Sequence, residues 1–131
     1  MDEKNNYQGY LSGPEAEELA CQYLLDQSLA LLGRNFRTRR GEIDLIMKDN
    51  GHIVFVEVRF RRSDAFGSAA ESITQAKCRR LGAAALVYLQ HQGYNSNTPA
   101  RFDAVVISPK KPLTPGKHTD YAIEWIQNII M

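Results

Sequence analysis

The chain has 131 residues, 44% of them hydrophobic and 24% charged, which suits one domain with a buried core. No apolar run approaches the roughly 18–20 residues that span a bilayer, and the polar opening Met1-Asp2-Glu3-Lys4-Asn5-Asn6 is unlike a signal peptide, so a cytoplasmic protein is expected. The net charge of +1 conceals an asymmetry: residues 1–33 carry one basic and six acidic side chains, whereas residues 34–80 carry eleven basic and six acidic, with nine arginines among the eleven.

Residues 1–12 lack a consistent period and read as a flexible arm, leaving 13–131 as a single domain. A helix is expected from Gly13, with Pro14 in its first turn and Ala16, Leu19, Ala20, Tyr23 and Leu24 recurring along one side. Glu15, Glu17 and Glu18 fall in its first turns, where negative charge is favourable in any case. Ser28 to Phe36 reads as a first strand leading into the arginine-rich loop Arg37 to Arg40.

The next two segments, Gly41-Glu42-Ile43-Asp44-Leu45-Ile46-Met47 and Ile53-Val54-Phe55-Val56-Glu57-Val58-Arg59, both alternate, and Asn50-Gly51 between them is a strong two-residue hairpin signal. With that turn, Ile43, Leu45 and Met47 oppose Val58, Val56 and Val54 on an apolar face. Asp44 then opposes Glu57, and Glu42 opposes Arg59, on the other. Facing carboxylates with β-carbons roughly 4.5–5.5 Å apart repel. Either the charges are solvated on an open sheet face, or a hard divalent cation such as magnesium or manganese compensates them.

Residues 60–71 form a basic, glycine-containing loop, and a second helix is expected from Ile73 to Gln92, opened by a capping box at Ser72-Ile73-Thr74-Gln75. Ile73, Ala76, Leu81, Ala84, Ala85, Tyr88 and Leu89 form its apolar side, with Lys77 emerging beside that stripe. Arg101 to Ser108 is near-continuously apolar and reads as an interior strand, and His118 to Trp125 as a last one. A short hairpin is antiparallel, while the crossing through the second helix permits a parallel neighbour, so the fold class is α/β: a mixed sheet flanked by helices in the order α-β-β-β-α-β-β. Cys21 and Cys78 both fall in helices and make neither a disulfide framework nor a zinc cluster.

Asn35-Phe36-Arg37, Gly41-Glu42-Ile43-Asp44-Leu45-Ile46, Phe55-Val56-Glu57-Val58-Arg59 and Arg101-Phe102-Asp103 resemble the bacterial YraN family, within the PD-(D/E)xK nuclease superfamily, over roughly residues 13–126. The resemblance implies a restriction-endonuclease-like fold and a divalent-metal-dependent endonuclease with Mg2+ or Mn2+ as cofactor. By it, Asp44 and Glu57 are the metal-binding carboxylates, the Val58 carbonyl completes the site, and Glu17 matches an additional acidic position of resolvase-like members. Arg59 stands where most of the superfamily has lysine, and an arginine with a pKa above about 12 is unsuited to act as a base. Lys77 is either a substitute catalytic amine or a lysine covering apolar surface. Gln75 matches a helix position used in some relatives, beside its capping role.

Acidic residues within an arginine-rich rim suit a polyanionic substrate. Arg37, Arg39, Arg40, Arg61, Arg62, Arg79 and Arg80 are the expected nucleic-acid contacts. Three functions compete: a nuclease on DNA, with branched or single-stranded forms as candidate substrates; a nucleic-acid-binding protein that keeps the fold without turnover, suggested by Arg59; and an adaptor using the sheet edge. The expected partner is DNA, with no membrane and with a homodimer as an option.

Overall fold

The computed structural model describes residues 10–62, 67–95, 97–110 and 120–130. Helix α1 (Gly13–Asp26) starts where Ser12 forms a reciprocal cap. Its Oγ accepts from the Glu15 N–H at 3.2 Å, while its own N–H donates to Glu15 Oε1 at 2.9 Å. Ala16, Ala20, Cys21 and Leu24 form the buried face, a 3.6-residue stripe that docks on one side of the sheet.

Strands β1 (Ala30–Arg37), β2 (Glu42–Asp49), β3 (His52–Phe60), β4 (Ala100–Pro109) and β5 (Tyr121–Ile126) form one sheet in that order. Pairing is antiparallel except between β3 and β4, which run parallel across helix α2 (Gln75–His91). This is the mixed α/β arrangement and element order that the sequence implied. The expected last strand began at His118; residues 118 and 119 lie outside the described residues, as do 1–9 of the expected arm and 63–66 of the basic loop.

The hairpin register is as expected, with Leu45, Ile46 and Met47 opposite Val56, Phe55 and Val54. Asn50 (φ 49°) and Gly51 (φ 86°) both take the left-handed conformation that a tight turn of this hand requires. Leu45, Met47, Val54, Val56, Val105 and Ile107 pack beneath α1, and Ile46, Ile53 and Phe55 beneath Leu81, Ala84, Ala85 and Tyr88 of α2. The central strands β2, β3 and β4 are thus buried on both sides over much of their length.

Two local expectations are corrected. Helix α2 is capped by Thr74, whose Oγ1 accepts from the Lys77 N–H at 3.2 Å; Gln75 is therefore the first helical residue and closes no box on Ser72. The reciprocal pair instead joins Ser68 and Glu71, just before a 3-10 turn at Ala70–Ser72. Ile43 does not line the α1 side with Leu45 and Met47 but joins the cluster under α2, because β2 leaves β3 after Leu45 while staying paired with β1 through Ile43 and Glu42.

Candidate functional site

The fork between β2 and β3 makes the site. Beyond Leu45 opposite Val56 the backbone ladder ends, and the Asp44 side chain enters the gap, where its Oδ2 accepts the Val58 N–H at 2.8 Å. A backbone donor that would otherwise be orphaned is satisfied by a carboxylate, which fixes Asp44 while leaving Oδ1 free. Glu57 precedes Val58 on β3, half-buried on the α2 side, and the Asp44 charge acts on it across the fork.

Burial pushes Asp44 up to about 6, with Glu17 and Glu42 adding to the rise against the opposing Val58 hydrogen bond and Lys77. Burial likewise raises Glu57 to about 7, with Asp44 the next cause and Lys77 and Arg80 opposing. Lys77 is held below its ordinary value by desolvation first and then by Arg59, while Glu57 and Asp44 pull it back. Asp44, Glu57, Arg59 and Lys77 therefore form one electrostatic group between the sheet and α2. Two raised acids beside a lowered amine are the perturbation expected of a functional cleft.

Glu42 does not meet Arg59. Its nearest cation is Arg37 at 3.8 Å, an exposed and weak contact, and the fork is again the cause. Arg59 Nε is buried without a hydrogen-bond partner among the described residues, two positions beyond Glu57 on β3. Glu17 stands near enough to raise Asp44, yet among the described residues no three of His, Cys, Asp and Glu gather into a metal-holding cluster. Asp44 and Glu57 could supply a pair of carboxylate ligands. Magnesium, which keeps several waters and is often held by one or two carboxylates, fits that pair.

Beside the pair lies a cavity of about 450 Å3 lined by Arg37, Thr38, Arg39, Arg40, Gly41, Glu42 and Arg80. The loop is tied by Thr38, whose Oγ1 accepts from the Arg40 and Gly41 N–H groups and whose N–H donates to the Gly41 carbonyl. Gly41 is obligatory here: a β-carbon on it would lie 1.9 Å from the Arg80 carbonyl oxygen of α2. That close approach brings Arg80 to the loop arginines.

The other arginines are not assembled there. Arg61 donates to the Gly67 carbonyl at 2.7 Å, and the Arg62 guanidinium lies 5.9 Å from the Tyr10 ring centroid. Arg79 is exposed on α2 outside the cavity lining. Arg34, at the head of the basic segment, is engaged with Glu18 at 2.7 Å and Cys21 Sγ at 3.3 Å.

Sequence reasoning missed the Val58 N–H, since a backbone donor freed by strand divergence leaves no residue-type signal. Asp103 has a structural role: fully buried, it accepts from Arg101 Nε at 3.1 Å, Trp125 Nε1 at 3.0 Å and the Asn128 N–H at 3.0 Å. Arg101 also bridges to Asp49 at 2.8 Å.

The model of the uncharacterised protein family UPF0102 matches residues 16–107. The chain belongs to UPF0102. This is the YraN family to which the sequence pointed. A UPF0102 protein of Nitrosococcus oceani is 54% identical over 99 residues, covering 76% of this chain and 80% of the relative. One from Nitrosomonas europaea is 48% identical over 116 residues, covering 88% and 90%, and one from Pseudomonas aeruginosa 45% identical over 116 residues, covering 88% and 89%. The family match spans Glu17, Asp44, Glu57, Val58, Arg59, Lys77 and the arginine rim, and ends before β5. No helix among the described residues is long and apolar enough to cross a membrane.

Proposed function

We propose that this UPF0102 protein is a divalent-metal-dependent nuclease that hydrolyses phosphodiester bonds in DNA. The carrying observation is the half-buried Asp44–Glu57 pair at the β2–β3 fork, both acids raised toward neutrality, beside a four-arginine cavity. Asp44 Oδ1 and the Glu57 carboxylate, with the Val58 carbonyl, would hold Mg2+ or Mn2+. The cation would lower the pKa of an attacking water and offset charge gathering on the scissile phosphate.

The chain's own residues do the rest. Arg37, Arg39, Arg40 and Arg80 bind flanking phosphates through planar donors. Arg59, with its unpartnered Nε, orients the phosphate that reacts. Lys77, its pKa lowered by burial and by Arg59, is the amine placed to take a proton.

One observation favours a second reading. Arg59 occupies the position where the nuclease pattern has lysine, which suits a protein that binds nucleic acid without cutting it. Labelled single-stranded and branched DNA, incubated with Mg2+ or Mn2+, separates the two. Cleavage that is lost in Asp44→Ala and Glu57→Ala while binding persists supports the nuclease. Salt-sensitive binding without cleavage under any metal supports the binding protein.

A further inference from the structure

A second cavity lies on the same face of the sheet as the carboxylates. In the parallel pairing of β3 with β4, Arg59 aligns with Val106, and in the antiparallel pairing of β4 with β5, Val106 aligns with Glu124. Ser108 aligns with Ala122 one step further along, and the Arg61 N–H continues the ladder by donating to the Ile107 carbonyl at 2.8 Å. Paired residues share a face, so Arg59, Val106 and Glu124 form one row across three strands, and Ser108 and Ala122 belong to the next. Helix α2 packs over β1, β2 and β3, leaving this part of the face to a cavity of about 460 Å3 lined by Arg61, Ser68, Val106, Ser108, Ala122 and Glu124, with Ala69 and Ile123.

We infer that this cavity receives an unpaired nucleobase, the base of a nucleotide held by its phosphate at Arg59. The inference rests on the nuclease or nucleic-acid-binding reading above. The volume lies within the roughly 300–1,000 Å3 of small-molecule sites. The lining has what a base needs: an apolar floor at Val106 and Ala122 for the ring face, the Glu124 carboxylate to accept from ring N–H or amino groups, and two serine hydroxyls that both donate and accept. Arg61 is braced by its hydrogen bond to the Gly67 carbonyl, so the cationic wall is positioned before any ligand arrives. Two strand spacings, roughly 10 Å, separate β3 from β5, so phosphate and base can be held together only if the base leaves its stack. A fully paired duplex keeps its Watson–Crick edges inside and offers Glu124 only the amino groups of its groove edges, with no ring to enter the cavity.

The test uses the full chain without divalent metal, and three oligonucleotides: a paired duplex, the same duplex with one bulged 2-aminopurine, and that duplex with an abasic bulge. Anisotropy should show the bulged duplex binding at least tenfold more tightly than the paired one, with the abasic bulge near the paired value. The 2-aminopurine fluorescence should rise on binding, since the described residues of the cavity lining include no aromatic ring to quench it. Ala122→Trp, which fills the cavity, and Glu124→Ala, at an exposed position, should each reduce the preference to within about twofold while leaving affinity for the paired duplex unchanged. If all three DNAs bind alike and with steep salt dependence, the base site is overturned and the nuclease reading stands. If no DNA binds, both fall.

Discussion

Asp44→Asn should stabilise the metal-free protein at pH 8 and abolish its activity. The substitution removes one of two half-buried like charges, yet the amide oxygen can still accept the Val58 N–H that Asp44 now holds at 2.8 Å. Raising Asp44 from 3.8 to about 6 corresponds to nearly 3 kcal/mol at about 1.36 kcal/mol per unit; with solvent screening of this partly exposed site, about 2 kcal/mol remains. The sign follows from linkage. Both carboxylates titrate higher when folded, so between about pH 4 and 7 the folded state binds more protons than the unfolded one. Their contribution is most favourable below about pH 4 and is lost as pH rises through 6 and 7. For a domain of this size the gain at pH 8 raises Tm by about 6–10 °C; about half of it remains at pH 5, which still lies above the unfolded value of 3.8, and it vanishes only below about pH 4. Thermal melts of both proteins in chelator at the two pH values measure it. A mutant that melts below the wild type at pH 8, or a shift equal at both, would refute the buried-pair argument.

Gly41→Ala should cost more than about 3 kcal/mol in urea unfolding, because its β-carbon meets the Arg80 carbonyl and not a flexible side-chain end. Asp103→Ala should cost about 3–5 kcal/mol by leaving Arg101 Nε, Trp125 Nε1 and the Asn128 N–H without their buried acceptor, with emission from Trp125, the sole tryptophan, reporting the change directly. Arg59→Lys should preserve or raise DNA cleavage if position 59 faces the reacting phosphate; loss of cleavage with Lys77→Ala inert would make arginine itself the working group.

The parts legible in the sequence are those fixed by short-range chemistry. Asn50-Gly51 sets a turn whose register runs from Asp49 opposite His52 to Leu45 opposite Val56, and the apolar stripes of α1 and α2 mark most of their buried sides. What was not legible depends on where partners separate in space. Strict alternation extends the hairpin ladder through Asp44 and Glu42, and nothing in it announces that β2 parts from β3 after Leu45, moving Ile43 to the other core and Glu42 away from Arg59. Likewise, the arginines of segment 34–40 look alike in sequence. Only the fold shows Arg34 tied to Glu18 while Arg37, Arg39 and Arg40 share a cavity with Arg80.

Calorimetric titration of Mn2+ into the wild type, Asp44→Ala and Glu57→Gln at pH 8 and pH 5.5 tests the central claim most directly. The account predicts one site in the wild type, tighter at pH 8 because the cation and protons compete for the same carboxylates, and no binding in either variant. Undetectable binding in the wild type, or binding unchanged by both substitutions, would contradict it.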